Sequence, residues 1–385
     1  MKKICFLTDS IFSYGGVQRV TAVIAKELAK DYDVTIVTLD NPDLEDKEIY
    51  GLNEAHIHYR YFQFPCIGKW KNFVCKAYSA LYRKILTQTR LTSDWYSHSS
   101  FPSEQRSALI NELNEGSYDV IIGDHAPLAV RLATCKSQLK NTKLIGWVHN
   151  SYEALFGKNS LYIGTELRKH YEYQLQKLDY TIVLCHDDAQ KYHFPVEVIY
   201  NPLTLIPGKP SSGISKKFLA IGRFSHLHKG FDLLIKAFHI FAKNNNDWTL
   251  HIVGEGVEEP LYRQLIHDYQ LEKRIYIQPF TNHIQSYYSE AQIYILSSRW
   301  EGMPLVLMEA MSHGLPIISS NLPVSKEIMG DFGIYFENGN INQLAQKMHD
   351  ATLIDWQKKS KEALEIAKRF NIDNIIKQWK AMIDA

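Results

Sequence analysis

The sequence has little with which to staple or anchor itself. Its five cysteines, at positions 5, 66, 75, 135 and 185, are odd in number, scattered, and include no C-x-x-C pair. That excludes a disulfide framework and a cysteine-based zinc site, and it points to a reducing compartment. No run of about 18 apolar residues occurs, so no segment reads as membrane-spanning. The opening MKKICFLTDS has an apolar core of only Ile4 to Leu7, ended by Asp9, which is too short for a signal peptide. It reads as a first β-strand, and the protein is expected to be cytoplasmic. Excess charge is lacking too: 43 Lys plus Arg against 42 Asp plus Glu leave a formal net charge of +1. With no global field, nucleic acid is not an expected partner. A content of 45% hydrophobic and 22% charged residues is that of a globular chain, and 385 residues suffice for two domains.

What is present is a repeated alternation of strands and helices. Short apolar runs at Ile4–Thr8, Val34–Leu39, His58–Phe64, Val120–Gly123, Leu144–His149 and Thr181–Cys185 read as strands. Helical spacing lies between most of them, as in Val17, Val20, Ile24 and Leu28. A second series occupies Phe218–Ile221, Thr249–Val253, Ile275–Gln278, Ile293–Leu296 and Ile317–Ser319, with Phe231, Leu234, Ile235, Phe238 and Phe241 on one helix face. Such alternation predicts an α/β protein with two Rossmann-like, doubly wound parallel sheets that meet ligands at their strands' C-terminal ends. Residues 201–217, NPLTLIPGKPSSGISKK, have the composition of a linker between the two. The terminal IDNIIKQWKAMIDA places Ile372, Ile375, Ile376, Trp379 and Met382 at helical spacing.

The most informative stretch is RWEGMPLVLMEAMSHGLPI, residues 299–317. Glu301 should lie in the loop after a buried strand. Glu309, eight positions on, should lie in the first turns of a helix that is apolar on almost every side and is stopped by Gly314 and Pro316. Between them a helix N-terminus offers amides to an anion; Pro304 has no N–H, so Leu305 and Val306 are the expected donors. Carboxylates beside an anion site make sense when the ligand also carries hydroxyls, as a sugar nucleotide does. Two incidental glutamates on a buried helix are the plainer alternative.

Three other places could carry chemistry. In AIGRFSHLHKGFDLL, Arg223 ends a strand and Lys229 precedes a helix, a spacing that suits a pyrophosphate leaving group as well as a solvated basic loop. Gly15-Gly16, between the first strand and helix, permits close backbone approach but is not G-x-G-x-x-G and equally fits a simple turn. Asp124-His125 and His149 follow first-half strands, where a lone histidine is often only hydrogen-bonded structure. Asp31-Tyr32-Asp33 superficially matches a D-x-D metal motif, but it precedes a strand, away from any ligand end, and no essential metal is expected. Residues 55–93 contain no Asp or Glu and seven Lys or Arg interleaved with aromatics, which suits either an anionic membrane surface or an ordinary solvated helix.

The 299–317 stretch closely resembles the E-x7-E motif of family 4 glycosyltransferases with the GT-B fold, and GRF…KG resembles that family's phosphate-binding pair. The resemblance covers nearly the whole chain and is most specific over residues 218–330. It implies a retaining, metal-independent transferase that uses a nucleoside-diphosphate sugar, with uridine diphosphate the expected carrier and no cofactor. A glycan or lipid-linked saccharide of bacterial surface polysaccharide, capsule or lipopolysaccharide synthesis would be the acceptor. It further implies an acceptor domain of residues 1–200 with a crossover helix at 370–385, and a donor domain of 201–369. Glu301, with Gly302, Met303 and the amides after Pro304, would hold the donor sugar, Glu309 the ribose, and Arg223 and Lys229 the departing diphosphate. Gly254, Pro279 and Phe280 would cradle ribose and base, and Gly15 and Gly16 would lie beside the phosphates. His149 would face the transferred sugar, with Asp124 and His125 on the acceptor side. A catalytically silent subunit that stabilises a partner transferase, and a GT-B enzyme that is an epimerase or phosphorylase, are the competing expectations.

Overall fold

The computed structural model describes every residue of the chain except Lys140, Asn159, Leu161, His226 and Asn282. It divides into two compact units, Met1–Asn201 with Ile375–Ala385, and Pro202–Asn374.

The first unit is built on seven parallel strands: β1 (Lys3–Thr8), β2 (Asp33–Thr38), β3 (Ile57–Tyr61), β4 (Val120–Asp124), β5 (Lys143–Trp147), β6 (Tyr180–Val183) and β7 (Glu197–Val198). Their order is β3-β2-β1-β4-β5-β6-β7. Phe6 on β1 lies opposite Ile36 on one side and Ile122 on the other, and all three are fully buried. Burial on both faces is why these strands read as nearly unbroken apolar runs. Strand β3 is shorter than its run of aromatics suggests: Phe62 still donates to Thr38, but Pro65 soon removes a ladder donor. The two-residue β7 is too short to show in the sequence.

The second unit repeats the plan with β8 (Lys217–Ile221), β9 (Thr249–Val253), β10 (Ile275–Gln278), β11 (Ile293–Leu296), β12 (Ile317–Ser320) and β13 (Ile334–Phe336), parallel throughout and ordered β10-β9-β8-β11-β12-β13. The Phe231–Ala242 helix buries Phe231, Leu234, Ile235, Phe238 and Phe241, and Phe218 stacks on Trp248 with ring centroids 4.5 Å apart. In both sheets the strand order reverses once, between β1 and β4 and between β8 and β11. At such a reversal the connections leave in opposite directions and open a crevice at the strands' C-terminal ends.

Residues 202–216 are not a free tether. Leu203 donates to the Phe370 carbonyl, Gly208 N–H to His313 Nε2 at 3.1 Å, and Ser211 N–H to the His313 carbonyl, so the segment is pinned to the second unit. Its Pro, Ser and Gly content forbids regular structure without forbidding packing. The terminal helix, Ile372–Asp384, runs from the second unit into the first. There Trp379 is fully buried against Trp147 (4.7 Å between rings), Lys143 Nζ donates to the Met382 carbonyl, and Lys380 pairs with Asp31.

Candidate active site

The crevice of the second unit is formed by the loops after β8 and β11, the two strands at its reversal point. After β8 the chain runs Gly222-Arg223-Phe224 and turns back at Gly230 into the Phe231–Ala242 helix. Gly230 has φ +65°, and a Cβ there would lie 2.1 Å from the Ser297 carbonyl oxygen, so no side chain fits. Gly222 is needed for a different reason: the Lys229 methylenes lie where its Cβ would be, at 2.8–2.9 Å. Lys229 is thereby laid across the end of β8, and its Nζ donates to Glu301 Oε1 at 2.7 Å. The same carboxylate oxygen accepts from Ser298 Oγ at 2.6 Å.

The loop carrying Glu301 is locked to the loop carrying Lys229 at several more points. Arg299 makes a two-pronged pair with Asp232, 2.8 Å on each side, and also donates to the Leu227 carbonyl. Its own N–H donates to the His228 carbonyl. Ser297 Oγ donates to the Lys229 carbonyl, and the His228 ring stacks on Trp300 at 4.7 Å while Nε2 donates to the Trp300 carbonyl. Fixed loops of this kind hold charges where they are needed before any ligand arrives. Burial pushes the Glu301 carboxyl upward, but Lys229, His228 and Ser298 outweigh it and hold it below the ordinary range, so it is ionised at neutral pH. Burial favours the neutral form of His228, whose pKa is lowered.

Gly302 and Val306 are half-buried, Met303 and Pro304 buried, and the helix begins at Leu305. Its first amides, Leu305 and Val306, lie before the helical ladder starts. Glu309, one turn on, is enclosed and accepts from Tyr288 OH at 2.7 Å; the Tyr288 ring stacks on His313 at 5.1 Å. Arg223 is exposed at the rim. Gly254 follows β9 because a Cβ there would lie 2.0 Å from the Gly222 carbonyl oxygen, which makes it a seat for the β8 turn. Pro279 and Phe280 are exposed after the edge strand β10, two strands from β8.

In the first unit the reversal point lies between β1 and β4. Gly15 is extended rather than left-handed, and Gly16 opens the Gly16–Leu28 helix. The turn is held by Tyr50, whose hydroxyl accepts from Gly15 N–H at 2.8 Å. Asp124 differs from expectation. As the last residue of β4 it is fully enclosed, bonded to His149 Nε2 and accepting from Thr21 Oγ1 at 2.8 Å, so it has no surface to offer an acceptor. It acts through His149, fixing that ring so that Nε2 carries the proton and Nδ1 is the remaining polar atom. Burial raises the Asp124 carboxyl, but His149, His125 and Thr21 together hold it low. His125 has φ +70° and its ring lies 5.3 Å from that of His149. Asp31 and Asp33 lie apart from both crevices, Asp31 with Lys380 and Asp33 3.5 Å from His58. Among the described residues no group of three His, Cys, Asp or Glu side chains gathers as a metal site.

Sequence reasoning missed Ser298, His228, Asp232, Thr21 and Tyr288. Only Ser298, at a strand end three residues before Glu301, carried a local signal; the others are brought in by the fold.

Residues 14–205 match the model described as Glycosyltransferase Family 4, and residues 207–370 match that for Glycosyl transferases group 1. An uncharacterised glycosyltransferase of Haemophilus influenzae is 28% identical over 100% of both chains. A Staphylococcus aureus poly(ribitol-phosphate) alpha-N-acetylglucosaminyltransferase is 25% identical over 62% of this chain and 50% of its own. The crystal structure of Anabaena HepE in complex with UDP and glucose superposes with a TM-score of 0.74 at 19% identity, covering 100% of both chains. Two parallel-sheet units, family models spanning nearly all of both, and a Glu301–Glu309 pair at the expected spacing establish that the chain belongs to glycosyltransferase family 4, with the GT-B fold.

Proposed function

We propose that this chain is a retaining, metal-independent hexosyltransferase that moves a sugar from a uridine-diphosphate donor to a glycan or lipid-linked saccharide in bacterial surface polysaccharide synthesis, at the inner face of the cell membrane. The observation that carries the reading is the locked Lys229–Glu301 pair beside the start of the Leu305–Ser312 helix. A bare buried carboxylate would repel a diphosphate. With Lys229 at 2.7 Å its charge is offset, and Glu301 becomes a hydroxyl acceptor within a field that stays favourable to phosphate. Cations and amides that meet the charge developing on the β-phosphate lower the barrier directly. The donor's C1–O bond to that phosphate breaks, the acceptor oxygen bonds to C1 from the same face, and the acceptor proton passes to the departing diphosphate. Glu309 takes the ribose diol, and His149 faces the transferred sugar.

HepE, with UDP and glucose bound, supports the donor class, and the poly(ribitol-phosphate) transferase supports the acceptor class. A catalytically silent subunit has no need of an intact Glu301, Glu309, Arg223 and Lys229. The test is a calorimetric and hydrolytic screen of UDP-glucose, UDP-galactose, their N-acetyl forms and GDP-mannose, without added metal, on the wild type and Glu309→Ala. Binding of one donor and slow release of its nucleotide, both lost in the variant, are expected. No binding of any donor at millimolar concentration, with or without metal, would leave the silent-subunit reading standing.

A further inference from the structure

The acid-free stretch noted in the sequence folds into a helical hairpin with an unusual outer surface. The Lys69–Lys84 helix packs against the Arg90–Ser100 helix, and the pair is anchored by Tyr82, fully buried and stacked on Tyr96 with centroids 4.5 Å apart, beside His170 and Leu167. Ser79 Oγ and Arg83 both donate to Tyr96 OH, and Ser99 Oγ donates to the Cys75 carbonyl. The hairpin is thus a fixed part of the first unit.

Its outer side is apolar. Of the nineteen large hydrophobic side chains that stand exposed among the described residues, seven fall between positions 70 and 95: Trp70, Phe73, Val74, Leu81, Ile85, Leu91 and Trp95. Trp70, Phe73, Val74 and Leu81 fall within about 100° of arc on the first helix, and Ile85 continues the stripe at its end. Trp70, Phe73 and Ile85 are 78%, 63% and 75% exposed. Lys69 and Lys76 flank the stripe on one side and Lys84 stands just inside that same edge, all three exposed and, among the described residues, in no ion pair. The only acid between residues 55 and 100, Asp94, is taken by Lys177 and Gln174.

We propose that this hairpin docks on an anionic lipid bilayer, the apolar stripe entering the headgroup–acyl boundary and the three lysines meeting lipid phosphates. Tryptophan and phenylalanine beside aliphatic residues, flanked by cations, form the surface that interfacial helices present to lipid. Charge argues against a second copy of the chain: a two-fold contact would set one basic flank against another, with no carboxylate to answer it. The inference is independent of which donor the enzyme uses.

Sedimentation of the full chain with vesicles tests it, comparing phosphatidylcholine alone with mixtures containing phosphatidylglycerol. Binding only to the anionic vesicles, weakening as salt rises, is expected. Lys69→Glu/Lys76→Glu/Lys84→Glu should weaken partition by about a hundredfold or more, and Trp70→Ser/Phe73→Ser/Ile85→Ser should abolish it. A control reversal at exposed sites elsewhere, Lys358→Glu/Lys361→Glu/Lys377→Glu, should leave it intact. Melting temperature and donor hydrolysis report folding in each variant. Equal binding to neutral vesicles, indifference to both hairpin variants, or a dimer in light scattering that Trp70→Ser/Phe73→Ser/Ile85→Ser dissolves would overturn the proposal.

Discussion

Replacing Lys229 by methionine removes the main partner of a buried carboxylate while keeping the side chain's bulk over Gly222. Glu301 is 9% exposed, so once the ammonium is gone burial is opposed only by His228 and Ser298. Breaking a buried pair on one side costs about 3–5 kcal/mol, and Lys229, which is 15% exposed at its side chain, places this pair near the lower figure. For a unit of this size that is a fall of about 6–12 °C in melting temperature. The pH dependence carries the sharper signature. In the wild type Glu301 is held below the ordinary carboxyl value of 4.5, so its contribution to stability is present above that value and is lost as pH falls through the lowered one. In Lys229→Met the carboxyl titrates above the ordinary range. The deficit is then greatest at neutral pH and shrinks as acid protonates Glu301. Calorimetric melting of both proteins from pH 7.5 to pH 5, with Lys229→Met/Glu301→Gln alongside, measures this. The double variant should recover most of the stability and none of the donor binding. A deficit that does not change with pH, or a double variant no more stable than the single one, would refute the account of the pair.

Gly230→Ala forces a Cβ into the Ser297 carbonyl at a left-handed turn, so it should destabilise the second unit by at least about 2 kcal/mol and depress turnover. A melting curve identical to that of the wild type would contradict it. Asp124→Asn should cost about 2 kcal/mol through lost charge-assisted bonds to His149 and Thr21, and should lower kcat with donor affinity unchanged. Because the Asp124 carboxyl is held below 3.8, it adds stability above that value and loses it as pH falls through the lowered one; the variant should lack this acid-side slope.

Much of the second unit was legible because its strands are short apolar runs bounded by polar turns, as at Thr249–Val253, Ile275–Gln278 and Ile293–Leu296. The three-residue β13 was not, since IYF has too few residues to show a period. The site was legible in part for a similar reason. Glu301 and Glu309 lie on one short stretch, where spacing alone relates them. The pairing of Lys229 with Glu301 joins residues 72 apart in sequence and depends on β8 and β11 being neighbours, which no local pattern states. Asp124 was misjudged because a strand-end carboxylate looks the same in sequence whether it meets solvent or is capped by a histidine 25 residues later. In residues 202–216 composition marks the connection between the units but not its hydrogen bonds to Phe370 and His313.

The return of the terminal helix to the first unit has a consequence for how the chain is made. Residues 1–201 of unit 1 leave the ribosome ahead of unit 2, yet Ile375, Ile376, Trp379 and Ile383, all buried in unit 1, are synthesised after the whole of unit 2. Domains ordinarily complete in the order of translation. Here the order is inverted for the final step: the second unit has all its strands before the first can bury Trp147 under Trp379. A nascent chain halted before residue 375 would carry one finished unit and one with an open apolar face, which closes only once residues 375–383 emerge.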